Sequence, residues 1–156
     1  MDRRQKKLVV NIVVVIAFTA AMVAGFANIK NLINRSEAMR AMELLGKEIM
    51  SYKKTYGSLP SESYAREFSE QIGAVRLGGF QYRAQWIEFG CDPNAVILAY
   101  SEKKYTGFVK SGVVVLWLSG KTEWMRQKHF CEIMKSMQKK QELRWIQEHL
   151  QNEKQP

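Results

Sequence analysis

The most constraining feature of this sequence is an apolar stretch at residues 8–27, LVVNIVVVIAFTAAMVAGFA. It has no charged side chain, and its polar side chains are Asn11 and Thr19. At about 1.5 Å of rise per residue, a helix of this length covers roughly 30 Å, the thickness of the hydrocarbon layer of a bilayer. Backbone groups in lipid must satisfy their own hydrogen bonds, so the stretch is predicted to form a transmembrane helix.

Basic residues predict the orientation of this helix. The cytoplasmic side of a membrane protein carries the excess of lysine and arginine. Residues 1–7 hold one acid, Asp2, against four bases: Arg3, Arg4, Lys6 and Lys7. We therefore expect residues 1–7 to be a cytoplasmic tail and the chain beyond residue 27 to lie outside the cytoplasm.

Other interpretations of residues 8–27 remain open. A basic start, an apolar centre and the small residues Gly25 and Ala27 are also typical of a cleaved signal peptide, although that centre usually spans about 7 to 15 residues. A buried helix of a soluble protein fits less well, since no face of this stretch is polar. We expect the segment to be retained as an anchor.

The net charge of +9 over 156 residues raises the question of nucleic-acid binding. Acids and bases balance in residues 61–125, and the excess of bases lies in residues 1–60 and 126–156. A nucleic-acid-binding domain usually concentrates its charge on one surface with motif support. Here part of the excess belongs to the cytoplasmic tail, and much of the rest lies beside acids, so we expect no nucleic-acid partner.

Residues 28–56 are predicted to continue the membrane helix as an amphipathic helix, because no proline or other helix-breaking pattern separates the two parts. Apolar side chains recur at spacings of three and four, which places them on one face: Ala38, Met42, Leu45, Ile49, Tyr52 and Tyr56. The sequence GSLP at residues 57–60 is predicted to end the helix. A short helix follows at residues 61–73, with Ser61 as its N-cap and Gly73 at its end.

From residue 78 the pattern changes to that of strands. Phe80, Tyr82 and Ala84 alternate with polar residues, which predicts a strand with one buried face. Further strands are predicted at residues 95–100, 112–118 and 121–125. The connections between them are turns, at residues 91–94 and at Ser119 and Gly120. Short connections of this kind imply an antiparallel β-meander.

Residues 126–153 are predicted to be helical again. One apolar stripe is expected to pack on the sheet: Phe130, Ile133, Met134 and Met137. A second is displaced around the helix axis: Leu143, Ile146 and Leu150. Basic residues alternate here with Glu142, Glu148 and Glu153, which favours a solvated face over a surface resting on anionic lipid headgroups.

The predicted fold is therefore of the α+β class: a long N-terminal helix, transmembrane and then amphipathic, packed on a small antiparallel β-meander, with a C-terminal helix. Residues 28–125 form the folded domain, and residues 126–156 form the C-terminal amphipathic helix. Cys91 and Cys131 are the two cysteines, and outside the cytoplasm they could form a disulfide. Such a bond needs Cα atoms within about 7 Å, so two separate thiols remain the alternative.

Nothing in the sequence indicates catalysis or a bound cofactor. His129 and His149 are too far apart to bind one metal from a single helical face, and His129 and Cys131 point to different sides of a helix. The chain has no GxSxG, Walker A, CxxC or HExxH motif. We expect no metal site, no cofactor and no enzymatic activity.

The order of these parts resembles that of type IV pilin-like proteins, in particular the major pseudopilins of type II secretion. The likeness rests on the membrane helix that continues into an amphipathic helix, on the helix end at residues 50–62, and on the hairpin at residues 95–125. The helix end resembles the family's pattern through Tyr52, Gly57 and Pro60, and the hairpin turn through Ser119 and Gly120. Residues 126–156 go beyond the resemblance.

The sequence also departs from this family. Processed pilins have a glycine before the apolar stretch and a glutamate soon after it begins, whereas here Lys7 precedes Leu8 and the stretch contains no glutamate. Ser119 stands where related proteins have an aspartate, and Val109 where many have a histidine.

The resemblance implies a non-enzymatic assembly or scaffold protein of a bacterial secretion or pilus-type envelope system, anchored in the inner membrane by a single span. Its partners would be other envelope or secretion proteins or further copies of this chain. The alternative is an envelope binding module that recognises a peptide or a surface polymer.

Overall fold

The computed structural model describes residues 2–72, 77–88, 90–105, 109–138 and 142. The chain begins with helix α1 (Arg3–Tyr56) and helix α2 (Glu62–Gln71). Strands β1 (Phe80–Tyr82), β2 (Ile97–Lys103), β3 (Gly112–Trp117) and β4 (Thr122–Arg126) follow, and helix α3 (Gln127–Met137) comes last. The predicted α+β class is confirmed.

Helix α1 is unbroken over 54 residues, as the absence of a helix-breaking pattern predicted. It ends at Gly57, which has the left-handed φ of 75° that glycine adopts without steric cost and whose N–H donates to the Lys53 carbonyl. Helix α2 begins after Ser61, whose hydroxyl accepts the Tyr64 N–H as an N-cap. Gly73, the predicted end of α2, lies outside the described residues, and the helix itself ends at Gln71.

The four strands form one antiparallel sheet in chain order, β1-β2-β3-β4, which confirms the meander. Strand β2 begins later and extends further than the predicted residues 95–100. The Ala95 N–H donates to the Asp92 carbonyl and so belongs to the preceding turn, while pairing with β3 continues to Lys103 opposite Gly112. Strand β1 is shorter than predicted, because Ala84 begins a short 3₁₀ helix, Ala84–Trp86.

The sheet is covered by a helix on each face. Side chains alternate along β3, so Val114 and Leu116 join the core formed with α1, whereas Val113 and Val115 pack with α3. The fold therefore has three layers, with the sheet between the second half of α1 and the short helix α3.

The two helices bury the faces that the sequence pattern indicated. On α1 the fully buried members of the stripe are Ala38, Met42, Leu45 and Ile49. Tyr52 is partly buried, and the prediction is wrong for Tyr56, which is 67% exposed because the domain does not cover the last turn of α1 on that side. On α3 Phe130 and Met134 are buried, with Ile133 and Met137 partly buried beside them, so the first predicted stripe does pack on the sheet.

The prediction of one continuous helix over residues 126–153 is wrong. Arg126 still pairs with Gly112 as the last residue of β4. Helix α3 ends at Met137 because Gln138 adopts an extended conformation, with φ −75° and ψ 126°. The second predicted stripe of Leu143, Ile146 and Leu150 lies outside the described residues.

Candidate functional site

The N-terminal half of α1 packs against nothing else in the described structure. Its most apolar window has a mean hydropathy of 2.5 and none of it is buried, so the helix is long and apolar enough to span a membrane. Large exposed apolar side chains continue beyond residue 27 at Ile29, Leu32 and Ile33, each a little more than half exposed. This surface of the helix is available to lipid or to other helices.

The helix-end motif joins α1 to α2 and to the sheet. The Tyr52 ring centroid lies 4.9 Å from that of Tyr64 on α2. Pro60 is buried, and its carbonyl accepts a 3.0 Å hydrogen bond from the Tyr82 hydroxyl of β1. Together with the left-handed Gly57, these residues fix the direction in which the chain leaves α1. Their role in the structure is to hold elements together.

The hairpin turn lies where it was predicted. Gly120 has a φ of 87°, and its N–H donates to the Trp117 carbonyl at 2.9 Å. The Ser119 N–H donates to the carbonyl of Pro93, which ties this turn to the one before β2. A Cβ at residue 120 would come within 3.0 Å of the Met50 side chain, so the turn also packs closely on α1.

The two cysteines are free thiols in the structure. Cys91 is partly buried and packs beside the core that α1 shares with the sheet. Cys131 is exposed on α3, the helix on the other face of that sheet. The structure does not bring the two cysteines together as a disulfide.

The structure shows a buried ion pair that the sequence analysis missed. Glu142, which was assigned to a solvated face, is fully buried. The Arg83 guanidinium donates to both carboxylate oxygens of Glu142, from Nε to Oε1 and from Nη2 to Oε2, the latter at 2.9 Å. Nη1 of Arg83 donates to the Ile97 carbonyl at 2.8 Å. These paired hydrogen bonds hold residue 142 against the sheet. The prediction that Glu142 lies on a solvated face is wrong, because a carboxylate that is paired and hydrogen-bonded tolerates burial.

Tyr100 lies beside this pair under α3. Its ring centroid is 4.8 Å from that of Phe130. Burial, with a further contribution from the negative charge of Glu142, raises the pKa of Tyr100 to about 12. The tyrosine is therefore neutral at physiological pH and acts as a packing residue.

No cluster of ligating side chains suggests a metal centre in the ranges that the structure describes: no three His, Cys, Asp or Glu residues lie together there. His129 is exposed, and its Nδ1 lies 3.9 Å from a Glu132 carboxylate oxygen. His149 lies outside the described residues.

An open cleft lies where the exposed half of α1 meets the sheet. It has a volume of about 600 Å³, and we call it the basic cleft. Its described lining residues come from α1, from the segment before β3, and from β4: Asn28, Leu32, Arg35, Val109, Lys110, Trp124 and Arg126. None of these is acidic, and the cations come from all three segments.

Aromatic contacts hold one of the cations in place. The Arg35 guanidinium carbon lies 4.5 Å from the centroid of a Trp124 ring, a cation–π contact. Trp124 in turn stacks on Tyr105, with ring centroids 6.0 Å apart and planes 16° apart. The Tyr105 hydroxyl is buried and has no hydrogen-bond partner within the described structure.

Comparison with known proteins gives no identification: no family model, no curated protein and no solved structure matches this chain.

Proposed function

We propose that this chain is a membrane-anchored, non-enzymatic assembly or scaffold protein, similar to the pseudopilins of bacterial secretion and pilus-type systems. Its anchor would span the inner membrane once, with residues 1–7 in the cytoplasm and the α+β domain outside. It would act through contacts with other envelope proteins or with further copies of itself.

The observation that carries this proposal is the division of α1 into two environments. The first half is apolar and exposed on every side, and the second half forms one layer of a folded domain. An apolar helix with no polar face is favourable in lipid and costly in water. Because the same helix continues into the domain, the anchor holds that domain at a fixed position above the bilayer.

Small residues on the anchor support lateral packing as the mechanism. Ala17, Ala21 and Gly25 recur every fourth residue, and small side chains at this spacing let two membrane helices approach closely. Leucine at position 21 would separate such helices, so Ala21→Leu should abolish homo-oligomer crosslinks within the membrane. Ala27→Leu is the matched control, since position 27 lies about 120° further around the helix. Equal crosslinking in both variants would exclude this face as the contact.

The first experiment tests the anchor and its orientation. Membranes that contain the native protein are extracted with alkaline carbonate, and spheroplasts are treated with external protease. We expect the full-length mass in the membrane pellet and cleavage beyond residue 28 by protease added outside. A soluble fragment that begins near Asn28 would show that residues 8–27 are a cleaved signal peptide.

One observation favours the binding-module alternative. A second open cleft, of about 520 Å³, lies between the end of α1, the connection from β1 to β2, and the turn after β3. Its apolar walls include Leu59, Ile87 and Leu118. If the protein captures an envelope peptide or polymer, Ile87→Asp, at a partly buried position of the same wall, should abolish capture by the full-length protein in detergent. Loss of capture without loss of homo-oligomer crosslinks would favour this second function.

A further inference from the structure

The position of the basic cleft relative to the bilayer follows from helix geometry. If the apolar stretch ends at Ala27, the rise of the helix places Leu32 about 8 Å and Arg35 about 12 Å beyond it. The headgroup region on each side of a bilayer is roughly 5 to 8 Å deep. Asn28 and Leu32 therefore lie at the depth of the headgroup region. The backbone of Arg35 lies about 4 to 7 Å beyond its outer border, and its long side chain, which a helix directs towards its N-terminus, spans that distance.

The sheet supplies the remaining cations at the same height. Strand β3 runs in the same direction as α1. Near the start of β3, Val114 pairs with Trp124, which contacts Arg35. Beyond the end of β3, Gly120 packs on Met50, which comes later in α1. Lys110 and Arg126 lie at the membrane-proximal ends of β3 and β4, and both are exposed. Arg35, Lys110 and Arg126 thus surround one opening that faces the bilayer surface.

The chemistry of this opening fits a phosphodiester with an attached acyl chain. Three cations without an acidic neighbour in the described lining attract an anion, and each basic side chain near an anionic surface strengthens binding. Leu32 in the lining continues the exposed apolar surface of Ile29 and Ile33 towards the hydrocarbon. Trp124 adds the amphipathic ring that is enriched at membrane interfaces.

We propose that the basic cleft binds the headgroup of an anionic phospholipid in the leaflet outside the cytoplasm. Arg35, Lys110 and Arg126 contact its phosphate, and its acyl chains lie along the apolar surface of α1. The assignment rests on the proposed membrane anchor. It adds a specific lipid contact that fixes the height and rotation of the domain above the bilayer.

The test uses the full-length chain in phosphatidylcholine vesicles that contain a minor fraction of phosphatidylglycerol. Bromine atoms on the acyl chains of one lipid or the other quench nearby tryptophan fluorescence. If the basic cleft binds the anionic lipid, brominated phosphatidylglycerol should quench more strongly than the same fraction of brominated phosphatidylcholine. Trp124→Phe should remove most of this difference, since it removes the fluorophore in the cleft.

The decisive comparison uses two double variants. K110Q/R126Q removes two cations from the basic cleft, and K30Q/R40Q removes the same pair of residue types from exposed positions of α1 outside it, with Lys30 close to the bilayer surface. At the known contribution of each basic residue, K110Q/R126Q should lower the preference for phosphatidylglycerol about 30-fold. K30Q/R40Q should lower the preference much less. An equal loss of the preference in both variants would overturn the proposed lipid site and attribute the preference to general surface charge.

Two further arms separate the remaining explanations. Inorganic phosphate added in excess should leave the preference for phosphatidylglycerol unchanged at constant ionic strength. If phosphate abolished that preference, the cleft would be a site for free phosphate instead. Carbonate extraction of the same vesicles checks the anchor independently. A chain that stays inserted but shows no lipid preference overturns the headgroup site alone, whereas a chain that is extracted overturns the proposed anchor as well.

Discussion

At the scale of single residues, Gly112 occupies a position in β3 where the neighbouring strand β4 leaves no room for a side chain. A Cβ at this position would lie 2.5 Å from the Met125 carbonyl oxygen and 2.7 Å from the Trp124 ring. Neither neighbour is the free end of a flexible chain, since one is backbone and the other is a stacked ring. Glycine is therefore required at the start of β3, beside the basic cleft.

Gly112→Ala should lower the free energy of unfolding by about 1 to 3 kcal/mol, the usual cost of overpacking. The measurement is urea unfolding of the full-length protein in detergent, followed by tryptophan fluorescence. Gly79→Ala is the matched control, because a Cβ there would meet no atom within 4 Å. Equal free energies of unfolding for the two variants would show that β4 moves away from an added Cβ at residue 112 without loss of stability.

The buried pair of Arg83 and Glu142 gives a second prediction at this scale. Glu142→Gln leaves the buried guanidinium without a counter-charge, and breaking such a pair costs about 3 to 5 kcal/mol. Replacing both residues with apolar ones of similar size, in Arg83→Met with Glu142→Leu, should restore most of that loss. The measurement is again urea unfolding, and an unchanged stability of Glu142→Gln would show that residue 142 is not fastened to the sheet.

Sequence reasoning missed this pair for a physical reason. Arg83 and Glu142 are 59 residues apart, and their contact depends on the way the chain folds back over the sheet. Local spacing showed Glu142 only among alternating charges, which is typical of a solvated face. The basic cleft escaped prediction in the same way, because Arg35, Lys110 and Arg126 come together only through the alignment of α1 with β3 and β4.

At the scale of elements, periodicity predicted what depends on local pattern. The spacing of Ala38, Met42, Leu45 and Ile49 identified the buried face of α1, and the Ser119-Gly120 turn located the β3–β4 hairpin. The exact ends of elements depended on longer-range contacts. Strand β2 reaches Lys103 because Gly112 pairs with it there, and no pattern near residue 103 indicates this.

The packing of α3 on β2 predicts a loss of stability at alkaline pH. An exposed tyrosine ionises near pH 10, whereas burial under α3 raises the pKa of Tyr100 to about 12. Between these values the folded chain keeps a proton that the unfolded chain has lost. This contribution to stability is therefore complete below pH 10 and falls by about 1.4 kcal/mol per unit as the pH rises towards 12.

Tyr100→Phe removes this titration, so its free energy of unfolding should fall less steeply than that of the natural chain between pH 10 and pH 12. Burial also raises the pKa of Tyr82, but Tyr82 is present in both proteins, so its effect cancels in the comparison. Urea unfolding at a series of pH values measures the two slopes. Identical slopes would mean that solvent reaches the Tyr100 hydroxyl in the folded state.

At the scale of the whole molecule, α1 runs without a break from the exposed apolar half into the folded domain. Asn34 lies between the exposed apolar half and the first fully buried residue, Ala38. Proline at position 34 would remove a helical hydrogen bond and clash with the preceding turn, which kinks or breaks a helix.

Asn34→Pro should therefore uncouple the proposed anchor from the domain while both remain folded. The measurement is the distance between spin labels at Val14 and Lys121, in a chain whose native cysteines are replaced by serine. We expect a narrow distribution for the natural helix and for Asn34→Ala, and a shifted, broader one for Asn34→Pro. Homo-oligomer crosslinks between domains should weaken in the proline variant alone, because lateral packing of the anchors then no longer positions the domains. A broad distribution in the natural chain would contradict a rigid α1 and with it the scaffold mechanism.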